Sequence, residues 1–161
     1  MNHWWVNHGG NYKSEIRDGY MIAPRQGRIF WENLSKVKKG DYIFSYAGKC
    51  IRDIGIAESD PKLVRARENS NSSVEWYVKV SWTTLNIPFR TLTVWEKTKH
   101  LFKKCQNAPL TESGKGCQGY LYDITKEIFD LYCNIINENC KTDISKFIYN
   151  INNVVTKIIL K

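Results

Sequence analysis

A chain of 161 residues with 42% hydrophobic and 13% aromatic side chains is long enough for one domain with a true core plus an appended segment, and too apolar to be disordered. Its formal charge of +8 and pI near 9.2 point to an anionic partner, nucleic acid or a membrane surface. No apolar run reaches the ~20 residues of a membrane span, and the N-terminus lacks a signal-peptide pattern. The five cysteines (Cys50, Cys105, Cys117, Cys133 and Cys140) are odd in number and contain no C-x-x-C. These features argue against a disulfide scaffold and a zinc knuckle, and for a reducing, cytoplasmic setting.

In chain order, His3 to Asn7 (HWWVN) predicts a first strand with Trp5 on one face and Trp4 and Val6 on the other. The loop His8-Gly9-Gly10-Asn11 ends it. Tyr20 to Ala23 is a short apolar strand stopped by Pro24, whose ring restricts Ala23 to extended angles. A basic loop, Arg25-Gln26-Gly27-Arg28, precedes the apolar cluster Ile29-Phe30-Trp31 and a turn near Asn33 to Ser35.

The stretch Lys36 to Ser59 predicts a hairpin. Lys38-Lys39-Gly40-Asp41 is a turn, Tyr42 to Ala47 alternates as a strand, Gly48-Lys49 is a tight connection, and Ile51 to Ala57 is a second strand. Gly55 leaves that second strand open to a close approach. Two readings stay open here: plain barrel scaffold, or one wall of a pocket.

Asp60 to Ser73 is polar and predicts an exposed connection with little regular structure. Glu75 to Thr84 is a strand with Trp76, Val78, Val80 and Trp82 on its core face, interrupted later by Pro88. Thr93-Val94-Trp95-Glu96 has the pattern of a capping box opening a helix to about Lys104. Asn107 to Gly119 is a loop, and Gln118 to Tyr122 a short strand. Ile124, Ile128, Leu131, Tyr132, Ile135 and Ile136 keep helical spacing after an Asp123 or Thr125 cap. A final helix from Thr142-Asp143 carries the stripe Ile144, Phe147, Ile148, Ile151, Val155, Ile158 and Ile159. It docks on the barrel, pairs with a partner or begins a linker. Short strands with inserted and appended helices predict an α+β barrel-like domain of five or six strands.

No catalytic set assembles. There is no G-x-S-x-G, P-loop or H-E-x-x-H, and no Cys has a His partner at a telling spacing. His100, Cys105 and Cys117 lack a fourth ligand, so neither a metal nor a cofactor is expected. Asp41, Asp53, Glu58 and Asp60 are expected to be solvated. The aromatics carry more. Trp5, Trp31 and Tyr46 fall beside strand ends where a π-face can meet a flat ligand, and base–aromatic stacking is worth ~1–3 kcal/mol per base. Core and pocket roles both remain open for Trp5 and Tyr46, whereas Trp4, Trp76, Trp82 and Trp95 are assigned to the core. Arg25, Arg28, Lys36, Lys38, Lys39 and Lys49 lie in loops suited to phosphate contacts. Lys97, Lys99, Lys103 and Lys104 suit a solvated helix face.

Several segments, in order, resemble a known family. K-V-K-K-G-D-Y-I-F-S-Y-A-G followed by I-G-I-A-E-S is similar to the central segment of EVE domains, in the PUA-like superfamily that also contains the YTH readers. W-W-V-N-H-G-G-N-Y, then G-Y-M-I-A-P, resembles modules attached to HNH nucleases and McrB-type restriction GTPases. W-Y-V-K-V-S-W before I-P, and G-K-G-C-Q-G-Y-L-Y, fit as well. The resemblance spans about residues 3 to 135. It implies a PUA-like/EVE pseudobarrel over 1–140, with 141–161 as a C-terminal helix, docking element or linker. It further implies a non-catalytic module that binds a modified base flipped out of DNA, with cleavage supplied by a nuclease or GTPase domain or subunit outside this chain.

Carried onto matching positions, the resemblance gives Trp5 and Asn7 from the first strand, Tyr46, Ala47 and Gly48 from the hairpin edge, and Gln118 and Tyr120 from Q-G-Y. The pattern departs at Ile22, where relatives often have Trp, and at Asn69 to Ser73, which lacks the pocket Trp of YTH readers. The cage then has fewer aromatic walls, or Trp31 substitutes. A methylcytosine-type base in DNA is the first expectation and N6-methyladenine the second. A modified-RNA reader and an oligomerisation or adaptor domain are the rival readings.

Overall fold

A computed structural model of the protein describes residues 1–148. In chain order its elements are strand β1 (His3–Asn7), helix α1 (Tyr12–Asp18), strand β2 (Tyr20–Pro24), and the single turn α2 (Ile29–Glu32) running into a 3-10 turn at Asn33–Lys36. Strands β3 (Tyr42–Ala47), β4 (Cys50–Ala57), β5 (Lys62–Arg65) and the long β6 (Val74–Arg90) follow. A 3-10 turn at Thr91–Thr93 leads into helix α3 (Trp95–Phe102). Strand β7 (Leu121–Ile124), helix α4 (Lys126–Asn139) and a 3-10 turn at Ser145–Phe147 complete the described chain. The strands form one curled sheet in the order β2-β6-β4-β3-β1-β7, with β5 also paired to β6. This is the expected α+β pseudobarrel, with one strand more than the sequence suggested. Among the described residues no helix is long and apolar enough to cross a membrane.

β1 lies inside the sheet, parallel to β3 and antiparallel to β7. Its alternation sends Trp5 into one core with Phe44, Phe102, Phe129 and Tyr132, and Trp4 and Val6 into a second with Met21, Ile43, Val78 and Leu121. The first core sits under α3 and α4, while the second fills the inside of the curl. Thr125 caps α4 by accepting the Ile128 N–H at 3.3 Å, and Ile128, Leu131, Tyr132, Ile135 and Ile136 are all buried, as their spacing requires.

The β3–β4 hairpin turns through Gly48 and Lys49, both at positive φ (58° and 66°), which matches the twist of antiparallel strands. The close approach expected at Gly55 is made by its cross-strand partner. A Cβ there would come within 2.6 Å of the Trp82 ring and of Val80. Trp82 and Trp76 are half-buried and pack on the edge of the second core, less deeply than assigned. The Trp76 indole donates to Glu32 Oε2 at 2.9 Å.

Several expectations fail, each for a physical reason. Residues 60–73 are not wholly irregular. Lys62–Arg65 pairs antiparallel with Val74–Tyr77, because an edge strand needs only backbone partners and tolerates charged side chains on its open side. Pro88 does not end β6. The register slips between Ile51 and Asp53, pairing Phe89 with Ile51 and Thr84 with Asp53, so Pro88 falls in a stretch where no ladder N–H is needed.

The capping box does not form either. The 3-10 turn delays α3 to Trp95, Thr93 Oγ1 donates to the Arg90 carbonyl, and Glu96 pairs with Lys99. The final strand begins at Leu121 rather than Gln118: its ladder with β1 ends where Val6 pairs with Leu121, and the chain before it meets β1 through Asn7, whose backbone N–H donates to the Tyr120 carbonyl at 2.8 Å. Of the last helix, residues 142–148 contain only the 3-10 turn, with Ile144 and Phe147 buried in the first core. The remainder of the expected helix lies outside the described residues.

Asp41 and Asp53 are buried rather than solvated, because each gathers donors from separate elements. Asp41, only 1% exposed, accepts from the Trp4 indole at 2.9 Å, the Asn2 amide at 2.8 Å and the Lys38 amide at 2.9 Å. Asp53 accepts from Tyr12, Ser45 and Thr84 hydroxyls at 2.9, 3.1 and 2.6 Å, and burial together with this carboxylate pushes the Tyr12 phenol up to about 12.

A third buried carboxylate, Glu75 at the start of β6, fixes the 66–73 loop. Arg67 donates to it from Nε at 3.0 Å, Nη2 at 2.9 Å and the backbone amide at 3.1 Å. Burial works to raise the Glu75 carboxyl, but the Arg67 hydrogen bonds and charge outweigh it and hold the carboxyl below its ordinary 4.5. A depressed carboxyl contributes stability that is present above its ordinary value and is lost as pH falls through the lowered one.

Asp41→Ala strands three donors and is expected to cost about 3 kcal/mol in urea unfolding at pH 7; a cost under about 0.5 kcal/mol contradicts the pinning role. Arg67→Ala is expected to cost about 2 kcal/mol, less than the 3–5 kcal/mol of a fully buried pair, since the Arg67 side chain is 36% exposed. Wild-type stability should fall as pH drops below 4.5, and Arg67→Ala should flatten that acid limb, as read by melts at a series of pH values from 7 down to well below 4.5.

Candidate nucleic-acid interface

Two open clefts lie side by side where β1, β2 and β3 end, and they share Trp31, Tyr120, His8 and Gly9 as a common divide. The first, about 390 Å³, is bounded by Ile22, Ala23 and Pro24 of β2 and by the loop carrying Arg67, Asn69 and Asn71, with Glu75 behind it. The second, about 550 Å³, is bounded by the hairpin edge Tyr46-Ala47-Gly48 and by residues 116–119.

The divide is built from a polar stack. Tyr120 donates its hydroxyl to Glu15 Oε2 at 2.8 Å and accepts the Ile22 N–H at 3.2 Å. His8 Nδ1 lies 2.8 Å from the same Glu15 oxygen, and the Glu15 and His8 side chains are fully buried. Burial first, and the Glu15 carboxylate second, push the Tyr120 phenol well above its ordinary value, so it remains protonated. Trp31 is half-buried, and the Arg28 guanidinium lies over its ring at 4.9 Å. Arg28 lines neither cleft. The loops around the first cleft are tied to one another: Gln26 donates to the Asn71 carbonyl and Ser72 Oγ to the Arg25 carbonyl.

The structure brings most of the sequence-derived pocket residues together. Asn7, Trp31, Tyr46, Ala47, Gly48, Gln118 and Tyr120 line the second cleft. Ile22 lines the first, which shares Trp31 and Tyr120. Trp5 lines neither. It is fully buried among Phe44, Tyr46, Phe102 and Tyr132, and its indole donates to Asn7 Oδ1 at 2.7 Å. The Asn7 amide in turn donates to the carbonyls of Pro109 and Cys117, both at 2.9 Å. Asn7 therefore staples residues 109–117 to the end of β1, and both polar ends of its side chain are used in doing so.

The basic residues divide. Arg25 and Arg28 are exposed beside the first cleft's loops, with Arg25 over Trp76 at 5.7 Å. Lys49 is exposed next to Gly48 on the rim of the second. Lys38 and Lys39 stand before the opposite end of β3, roughly 20 Å from Ala47 by strand rise, and Lys36 bonds Asn33 Oδ1 at 3.0 Å. None of these three lines a cleft.

Sequence reasoning passed over Arg67 and Glu75, which supply the polar wall of the first cleft. A Glu alternating with Tyr77 and Lys79 resembles a solvent-facing strand position, and nothing local marks it as buried. His100, Cys105 and Cys117 do not converge: among the described residues no group of three or more His, Cys, Asp or Glu is placed to hold a metal ion.

No protein-family model matches the sequence, and no curated protein does. Solved structures are similar in fold. A protein of Rhodopseudomonas palustris is 14% identical with a TM-score of 0.54, over 86% of this chain and 95% of its own. A protein of Agrobacterium tumefaciens is 14% identical with a TM-score of 0.55, over 84% and 92%. The YTH domain of Mmi1 is 12% identical with a TM-score of 0.57, over 86% and 96%. The chain thus shares its α+β pseudobarrel fold with that YTH domain.

Proposed function

We propose that this chain is a non-catalytic module that reads a modified base, held in the first cleft. The observation that carries this reading is the placement of Trp31. It is a half-buried aromatic wall open to a cleft whose other sides are apolar (Ile22, Pro24) and hydrogen-bonding (Arg67, Asn69, Asn71), on a fold shared with a YTH domain. The base stacks on Trp31, its modified edge packs against Ile22, and its polar edge meets the Arg67–Glu75 wall. Arg28 lies over the Trp31 ring and is placed to add a cation–π contribution. Asn7 and Trp5 act from behind, by holding the 109–117 loop.

The resemblance to EVE domains supports the finer statement. The ligand is a methylcytosine-type base first, and N6-methyladenine second, flipped from duplex DNA. The module supplies specificity to a modification-dependent restriction system whose nuclease or GTPase lies outside this chain. Flipping costs a few kcal/mol, which stacking at ~1–3 kcal/mol per base and phosphate contacts together offset.

Fluorescence anisotropy with otherwise identical methylated and unmethylated duplexes tests the reading; equal affinities at moderate salt sink it. Trp31→Ala is expected to lose about 1–3 kcal/mol of affinity for the modified duplex while melting like the wild type. Trp5→Ala should instead lower stability by about 3–5 kcal/mol. Competition by N6-methyladenine duplex and by modified single-stranded RNA ranks the ligand classes, and a clear win for the RNA replaces DNA as the partner.

A further inference from the structure

The two clefts differ in chemistry more than in size. Two carboxylates, Glu68 and Glu75, line the first; no acidic side chain lines the second. Four of the second cleft's lining residues are glycines (Gly9, Gly48, Gly116 and Gly119), which lets a ligand approach the backbone where side chains would stand off. Its one hairpin aromatic, Tyr46, is buried, and a Cβ on Gly116 would come within 2.9 Å of the Tyr46 ring. That ring is therefore packed against the cleft wall and presents no open face for stacking.

Cations adjoin two of these glycines. Lys49 and Lys115 are exposed next to Gly48 and Gly116. The Arg52 guanidinium is anchored through Nε to the Ala47 carbonyl at 2.9 Å, and its Nη2 lies 3.1 Å from where a Gly48 Cβ would be. None of the three is in an ion pair among the described residues.

We infer that the second cleft is an anion subsite that seats the phosphodiester adjoining the base held in the first. A site with no carboxylate in its lining, walled in part by glycine backbone and adjoined by three cations outside any ion pair among the described residues, favours a compact anion over a neutral base. The two clefts share Trp31 and Tyr120 as their divide, so the strand crosses from one cleft to the other over the Trp31 edge. This assignment of position rests on the base reading above.

The test uses the full chain and a modified duplex carrying a single neutral methylphosphonate at the linkage on either side of the modified base. For the wild type, one of the two substitutions is expected to weaken binding roughly tenfold and to make the log–log salt slope shallower by about 0.9, the value for one phosphate. In Lys49→Asn/Lys115→Gln, with Asn chosen because it tolerates the left-handed backbone at position 49, the same methylphosphonate should make little further difference. A methylphosphonate without effect on the wild type at both linkages overturns the subsite. So does an undiminished effect in the double variant. Loss of the modified-over-unmodified preference in the wild type, with the methylphosphonate effect intact, strikes the base reading and leaves the anion subsite standing.

Discussion

β1 is buried on both faces and paired on both edges, and the remainder of the molecule is arranged to satisfy those demands. A five-residue strand that carries Trp4, Trp5 and Val6 cannot leave either face to water, so one layer must cover each. α3 and α4 cover Trp5; the inside of the curled sheet covers Trp4 and Val6. Parallel pairing with β3 requires a long crossover, which here contains α1, β2 and α2. The same crossover delivers Ile22 and Trp31 to the clefts. The position of the site is thus a by-product of burying one strand.

Polar groups set the precision. Asp41 ties the start of β1 to the turn before β3, and Asn7 ties its end to residues 109–117. Glu15 holds Tyr120, and Glu75 holds Arg67. Each joins separate segments through an acceptor or amide that is buried or half-buried. Losing a partner therefore leaves an uncompensated polar group as well as a missing contact. Such devices suit a binding site, because they fix loops that carry little apolar surface of their own. The clefts consequently have defined walls, although residues 66–73 and 107–119 are almost devoid of regular structure.

Much of the fold was legible locally. The Gly48-Lys49 turn, the alternation through β3 and the Thr125 cap are short-range signals whose physics is complete within a few residues. β5 was not legible, since an edge strand takes its stability from the backbone of β6 and carries no apolar pattern. The path of β6 past Pro88 was hidden too, because it depends on a register slip in β4. The Thr93–Glu96 pattern misled for the converse reason: the local signal is real, but the 3-10 turn required by the chain's route from β6 moves the helix start beyond it.

For the clefts, residue type and position singled out Trp31 and Tyr46, and the resemblance to EVE domains added Gly48, Gln118 and Tyr120; all five line the second cleft. What the sequence by itself determined was the class of surface, aromatic and cationic at strand ends, because those properties belong to single residues. Only the tertiary structure decided which aromatic lines a cleft. Trp5 and Trp31 are alike in composition and differ in what covers them, and cover comes from α3, α4 and the 107–119 loop, far away in the chain. The hairpin edge Tyr46-Ala47-Gly48 lines the second cleft, as a wall whose aromatic ring is packed inward.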